Sequence, residues 1–220
     1  VSGLVARLVN AQYQSLTGMP GAPSRTDRSC VVTVLYADVD GFGSLPNSAD
    51  PERQMDILDR FFYDLDGVVA LHGVVRIRRM GDAFLCAGGV PEVDHTSPFA
   101  VVLAALGLMA HMDLLNGKRG ADGHSWRLRV GIDTGIVQLS GYSEGEMVRY
   151  DIQGATVRMA SRMESSGGPG LVNISNTTYD SVKEFFDCAP RGAIPVKNKG
   201  EVAMYAVERI KPEYAADPLG

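Results

Sequence analysis

Asp38 and Asp40 close an apolar run in CVVTVLYADVDGFG, and Asp82 follows a glycine in RRMGDAFLC. A single Asp in a turn after a strand commonly serves local hydrogen bonding. Two carboxylates from separate segments, brought to one strand edge beside glycine turns, are what a Mg²⁺ or Mn²⁺ site needs. Such ions take oxygen ligands and usually complete their shell with substrate phosphates. The turn at Gly41 and Gly43 would leave backbone N–H groups free for phosphate oxygens. Whether Asp38 and Asp82 meet depends on the elements that carry them.

CVVTVLYAD, residues 30–38, reads as a buried strand. Asp50-Pro51 has the pattern of an N-cap followed by proline at the first helical position. That helix is predicted to run to about Leu71 and to end at Gly73. VVRIRRMGDAFLCAGG reads as two strands joined by a tight turn at Met80-Gly81-Asp82. Ser97-Pro98 starts a second long helix, to about Leu115. WRLRVGIDTGIVQLSGY reads as two more strands, broken at Thr134-Gly135. The order strand–helix–strand–strand–helix–strand is ferredoxin-like and predicts an α+β fold with a βαββαβ core. In that topology the first strand lies beside the hairpin of the next two, so Asp38 can approach Asp82. Additional C-terminal elements follow: a helix at about 154–165, the strand GLVNIS, a helix at 177–186 and two strands near 190–207. LVARLVNAQYQSL, residues 4–16, has the spacing of a short amphipathic helix. The expected organisation is an N-terminal helix and linker over 1–29, one domain over 30–210 and a tail over 211–220.

Composition narrows the function classes. Of 220 residues, 45% are hydrophobic, which is ordinary for a globular protein with a real core. The net charge of -5 provides no global basic field for nucleic acid or an anionic membrane. Cys30, Cys86 and Cys188 are few, odd in number and set among apolar residues. They predict buried thiols in a reducing cytoplasm rather than a disulfide framework. No Cys/His cluster has zinc spacing. The most apolar stretch, FAVVLAALGLMA, reads as a buried helix too short to span a bilayer. No signal-peptide pattern is visible. The expectation is a soluble cytoplasmic protein with no nucleic-acid or membrane partner.

Five segments then resemble one family. YADVDGF resembles the F-A-D-I-x-G-F segment of class III nucleotidyl cyclase catalytic domains. RRMGDAFLCAGGVP resembles their K-T-I-G-D-A-Y-M-A-V-S-G-L-P segment. RVGIDTGIV, YDIQGATVRMASRMES and VKNKGEVAMYAV resemble three more, in order and at family spacing. The likeness covers about residues 30–208. It implies a homodimer whose active sites lie at the subunit interface. One subunit supplies the metal ligands to each site, and the other supplies the base-reading and phosphate-binding groups.

By this resemblance, Asp38 and Asp82 hold two Mn²⁺ or Mg²⁺ ions per site, with the Val39 carbonyl assisting. The implied reaction joins the ribose 3′-hydroxyl to the α-phosphate of a nucleoside triphosphate and releases pyrophosphate. One metal would lower the pKa of the attacking hydroxyl, and the other would neutralise phosphate charge. Arg162 aligns with the arginine that meets the α-phosphate in the transition state, and would act through preorganised charge. Lys199 aligns with the lysine that holds the terminal phosphates. Gly41 and Phe42 fall with the substrate-binding groups.

Three positions depart from the common pattern. Arg78 stands where adenylate cyclases usually have Lys and guanylate cyclases Glu. Arg158 replaces the usual Asn one turn before Arg162; the two arginines share a helix face and would form an anion site. Tyr36 replaces the aromatic that lines the base pocket. Asp151, the second base reader, is as in adenylate cyclases. An Asp acceptor with an Arg donor can satisfy cytosine, uracil or adenine. The bulk of Arg78 and Tyr36 favours a pyrimidine. In overall likeness the chain is most similar to the uridylate cyclases of the Pycsar antiphage systems, whose cyclic UMP is read by a separate effector. The alternatives are a cytidylate or adenylate cyclase, or a catalytically silent domain that binds nucleotide or only dimerises.

Overall fold

A computed structural model describes residues 26–40, 51–119, 126–144, 147–196 and 200–215. The first four strands are β1 (Thr26–Asp40), β2 (Val75–Met80), β3 (Ala83–Gly88) and β4 (Arg127–Glu144). The long helices α1 (Pro51–Leu71) and α2 (Ser97–Arg119) link them in the expected βαββαβ order. Then come β5 (Met147–Gln153), α3 (Ala155–Ser166), β6 (Leu171–Ser175), α4 (Asn176–Val182), β7 (Phe186–Val196) and β8 (Gly200–Ile210). The strands form one sheet in the order β2-β3-β1-β4-β6-β8-β7, with β5 paired to β4. As the topology requires, β1 lies between β3 and β4, antiparallel to both.

Side-chain alternation along β1 divides the molecule into two faces. Leu35, Ala37 and Val39 enter the main core, where α1 contributes Phe61, Phe62, Leu65 and Val69, and α2 contributes Val101, Val102, Ala105 and Leu108. Val32 and Val34 point the other way, into a second cluster with Leu85, Ala87, Val137, Leu139, Ile152 and Ala160. Tyr36 packs against that second cluster. Asp38 and Asp40 share its parity, so the candidate site belongs to the face that carries α3 and β5.

Several expectations need correction. The first strand runs beyond 30–38 at both ends. The expected break at Thr134-Gly135 does not occur: β4 is a single strand, with Thr134 opposite Thr33 and Gly135 opposite Val32. Gly135 serves packing there, because a Cβ would sit 2.8 Å from the Thr156 hydroxyl oxygen. β5 went unread, although Val148, Tyr150 and Ile152 alternate with Arg149 and Asp151 in the manner of a half-buried strand. The helix expected at 177–186 ends at Val182, and Phe186 already begins β7. There Phe186 is buried, with its ring 5.2 Å from that of Phe99. The helix at 4–16 and the N-cap at Asp50 lie outside the described residues.

The apolar stretch at 99–110 is the centre of a longer helix, and α2 is long and apolar enough to cross a membrane by length and composition. The short-length expectation therefore fails. Its Val101, Val102, Ala104, Ala105 and Leu108 are fully buried against the sheet and α1, as in a core helix.

Candidate active site

The turn between β2 and β3 is tight because Gly81 adopts a left-handed conformation, φ 65°. It brings Asp82 to the end of β1, where the Val39 N–H donates to the Asp82 carbonyl at 3.2 Å. Asp38 lies opposite Ala83 in the β1–β3 ladder. The two carboxylates read from the sequence thus reach one strand edge. Tyr36 stands two residues before Asp38 on the same face. Burial raises the pKa of its phenol, and the nearby charges of Glu164, Asp38 and Asp82 add to that rise.

Arg129, which was not among the expected site residues, contacts the candidate site. It faces Asp38 across the β1–β4 ladder. Its guanidinium is bonded to the Asp38 carboxylate and lies 4.0 Å from Asp40 Oδ1. Its Nε is 2.9 Å from Glu164 Oε1, an ion pair rather than an aligned hydrogen bond. Glu164 is buried, which raises its carboxyl pKa, while Arg129 opposes that rise. The bond to Asp38 raises the Arg129 pKa further. The available signal was its place as the first residue of the segment RVGIDTGIV, between the apolar Leu128 and Val130. Asp40 is the last residue of β1 and lies beside this guanidinium.

Glu164 reaches Arg129 because α3 rests directly on β4 at Gly131. A Cβ at Gly131 would stand 2.0 Å from the Glu164 nitrogen and 2.1 Å from the Ala160 carbonyl oxygen. Asn173 holds the far end of the helix, its Nδ2 donating to the Met163 carbonyl at 2.7 Å.

Arg78 and Asp151, the expected base readers, come from β2 and β5 and form an ion pair of 2.6 Å. The same Arg78 Nη2 donates to the Ile152 carbonyl at 3.2 Å. Asp151 Oδ1 also accepts from the Ile152 N–H at 3.0 Å, and Oδ2 lies 3.5 Å from Gln153 Nε2. Arg158 and Arg162 are both exposed on α3. Arg162 donates to the Pro195 carbonyl at 3.1 Å. Met159 and Met163 of α3 pack on Val202 and Met204 of β8, seating the β7–β8 hairpin against that helix. Lys199 lies outside the described residues, as do Gly41 and Phe42.

The donor set suits a hard divalent cation: two carboxylates and a backbone carbonyl, all oxygen. Among the described residues no three Asp, Glu, His or Cys side chains form a complete cage. Asp38 is already engaged by the Arg129 guanidinium, so a cation entering there meets a positive neighbour.

Comparison with known proteins points in one direction. The adenylate and guanylate cyclase catalytic domain matches residues 25–209. The soluble guanylate cyclase subunit beta-2 of Rattus norvegicus is 34% identical over 175 residues, covering 79% of this chain and 25% of that protein. An adenylate cyclase of Mycobacterium bovis is 32% identical over 218 residues, covering 98% of this chain and 47% of that protein. The chain therefore spans a quarter to about half of the length of these relatives. Among solved structures, the adenylyl cyclase CyaB from P. aeruginosa has a TM-score of 0.77 and 25% identity, covering 86% of this chain and 100% of that one.

Proposed function

The chain belongs to the adenylate and guanylate cyclase catalytic-domain family, and from that premise we propose that it is a pyrimidine nucleotidyl cyclase. It converts UTP to 3′,5′-cyclic UMP and pyrophosphate at two sites shared across a homodimer. The cyclic nucleotide acts as an alarm in antiphage defence, read by a separate effector. Free thiols at Cys30, Cys86 and Cys188 support a cytoplasmic location.

The observation that carries the base assignment is the Arg78–Asp151 pair. Both N–H groups of Arg78 Nη2 are used within the chain, on Asp151 and on the Ile152 carbonyl. One Asp151 oxygen is filled by Arg78 and the Ile152 N–H. What remains for a base is donor-rich: the Nη1 and Nε groups of Arg78 against the second carboxylate oxygen, which Gln153 Nε2 meets at 3.5 Å. Uracil has the complementary edge, one N–H between two carbonyls. Guanine has the opposite balance, two donors and one acceptor. Cytosine matches in number but not in order, and its preference over uracil is weighed by overall likeness alone. A site that pairs polar groups rejects an edge that leaves them unpaired. The adenylate alternative draws on Asp151 and on the mycobacterial relative.

Asp38 and Asp82 would hold the metals, which neutralise triphosphate charge and make the 3′-hydroxyl more acidic when bound. Arg162 would leave the Pro195 carbonyl to stabilise charge developing at the α-phosphorus. Arg158, one turn away, would help orient the ribose and phosphates. Lys199 would hold the terminal phosphates, and Gly41 and Phe42 would bind substrate together with Tyr36.

The test is product analysis. Purified protein with Mn²⁺ and UTP, CTP, ATP or GTP separately is expected to give mainly cyclic UMP by mass spectrometry. Mainly cyclic AMP would overturn the pyrimidine assignment but not the cyclase. No cyclic product from any nucleotide would overturn the cyclase. Arg78→Lys is expected to cut the UTP-over-ATP ratio of kcat/KM by about tenfold or more, because a lysine spent on Asp151 and the Ile152 carbonyl lacks the Nη1 and Nε donors that arginine keeps for a base. An unchanged ratio would show that Arg78 does not read the base.

A further inference from the structure

We propose that Arg129 sets the affinity of the metal site by competing with the divalent cation for the Asp38 carboxylate. This rests on the metal reading of Asp38 given above.

The register of β1 and β4 places Arg129 directly opposite Asp38. Its guanidinium touches Asp38 at one end and Glu164 at the other, with Asp40 at 4.0 Å. Glu164 is only 5% exposed. A carboxylate so buried needs its cationic partner, since removing one member of a buried pair leaves an uncompensated charge. The Glu164 end of the arginine is therefore an anchor. The anchor itself is rigid: α3 lies on Gly131 at backbone contact, and the Gly167 N–H and Asn173 Nδ2 tie the end of the helix.

A fixed positive charge thus remains beside Asp38. An entering cation must take an oxygen from the guanidinium, or share the carboxylate with it against direct charge repulsion. Both lower the affinity for metal alone. Phosphate oxygens delivered with the cation supply the missing negative charge, so metal and triphosphate bind together better than metal alone. Arg129 is a positioning and affinity-setting residue in this scheme, and Glu164 positions Arg129.

The experiment is titration of the purified 220-residue chain with Mn²⁺ in the absence of nucleotide, with free Mn²⁺ read by electron paramagnetic resonance. Arg129→Gln removes the charge and keeps a donor for Glu164. It is expected to bind Mn²⁺ about tenfold more tightly than the parent. Glu164→Gln leaves the guanidinium to Asp38 and Asp40 and removes a nearby negative charge. It is expected to bind severalfold more weakly. Equal or weaker binding by Arg129→Gln overturns the proposal. If that variant does not fold, equal or tighter binding by Glu164→Gln overturns it. Parent and Asp38→Ala chains that bind Mn²⁺ identically would instead overturn the metal reading itself.

Discussion

Asp38→Ala is expected to lower cyclic-nucleotide formation by about a thousandfold or more, roughly 4 kcal/mol of transition-state stabilisation. The side chain is the convergence point of the site. It ends the buried half of β1, faces Ala83 on one side and Arg129 on the other, and lies near Asp82 and Tyr36. Alanine deletes a metal oxygen and releases the Arg129 guanidinium into the place the cation should take. The fold should survive, because Asp38 is partly exposed and Arg129 keeps Glu164 as a partner. Steady-state assays with Mn²⁺ and UTP, together with a thermal melt, test this. Folded protein retaining more than about a tenth of the parent rate would remove Asp38 from the chemistry.

The same variant tests the shared site. Mixed with Arg162→Ala, it should form heterodimers in which one site carries both defects and the other neither. Activity should return to about half that of the parent dimer, as expected when catalytic groups act as a unit. Verified heterodimers that stay inactive would mean that each chain builds its own site.

Gly131→Ala is expected to be the most damaging small substitution in the domain. Gly131 is a strand residue opposite Tyr36 on β1 and Asn173 on β6. The added Cβ would meet Glu164 N at 2.0 Å, Ala160 O at 2.1 Å and Glu164 Cα at 2.7 Å, all backbone atoms of a packed helix. No rotamer change can relieve that, so α3 must lift away. The lift would pull Met159, Ala160 and Met163 from their buried seats and draw Glu164 from Arg129. A loss of about 3 kcal/mol or more is expected, at the upper end of overpacking costs. For a domain of this size that corresponds to a melting point lower by roughly 10 °C. A melting point within about 2 °C of the parent would show that α3 can be displaced cheaply.

Much of this architecture was legible in the chain because short-range rules determine it. Pro51 and Gly73 bracket α1, and the Met80-Gly81-Asp82 turn forms where a left-handed glycine is required. The helix at Ser97-Pro98 was anticipated for the same reason. Gly135 misled because a glycine permits a turn but also permits close packing, and only the neighbour, Thr156, shows which. The strand of Asp151 was passed over because its polar positions carry Arg149 and Asp151 beside a familiar motif. Its alternation was nevertheless present.

By itself, the sequence determined the order of elements, and the order required β1 to lie beside the β2–β3 hairpin. Asp38 and Asp82 were therefore bound to converge, and five family segments indicated the chemistry. Tertiary structure decided how those carboxylates are held. Ladder register set Arg129 against Asp38, a position invisible without knowing which residues face each other across β1 and β4. The contact of α3 with Gly131 then delivered Glu164 from more than thirty residues away to the same guanidinium. The Arg78–Asp151 pair likewise required β2 and β5 to approach in space. Propensity and motif act along the chain, whereas charge neutralisation in a buried site acts through space. The second therefore had to wait for the fold.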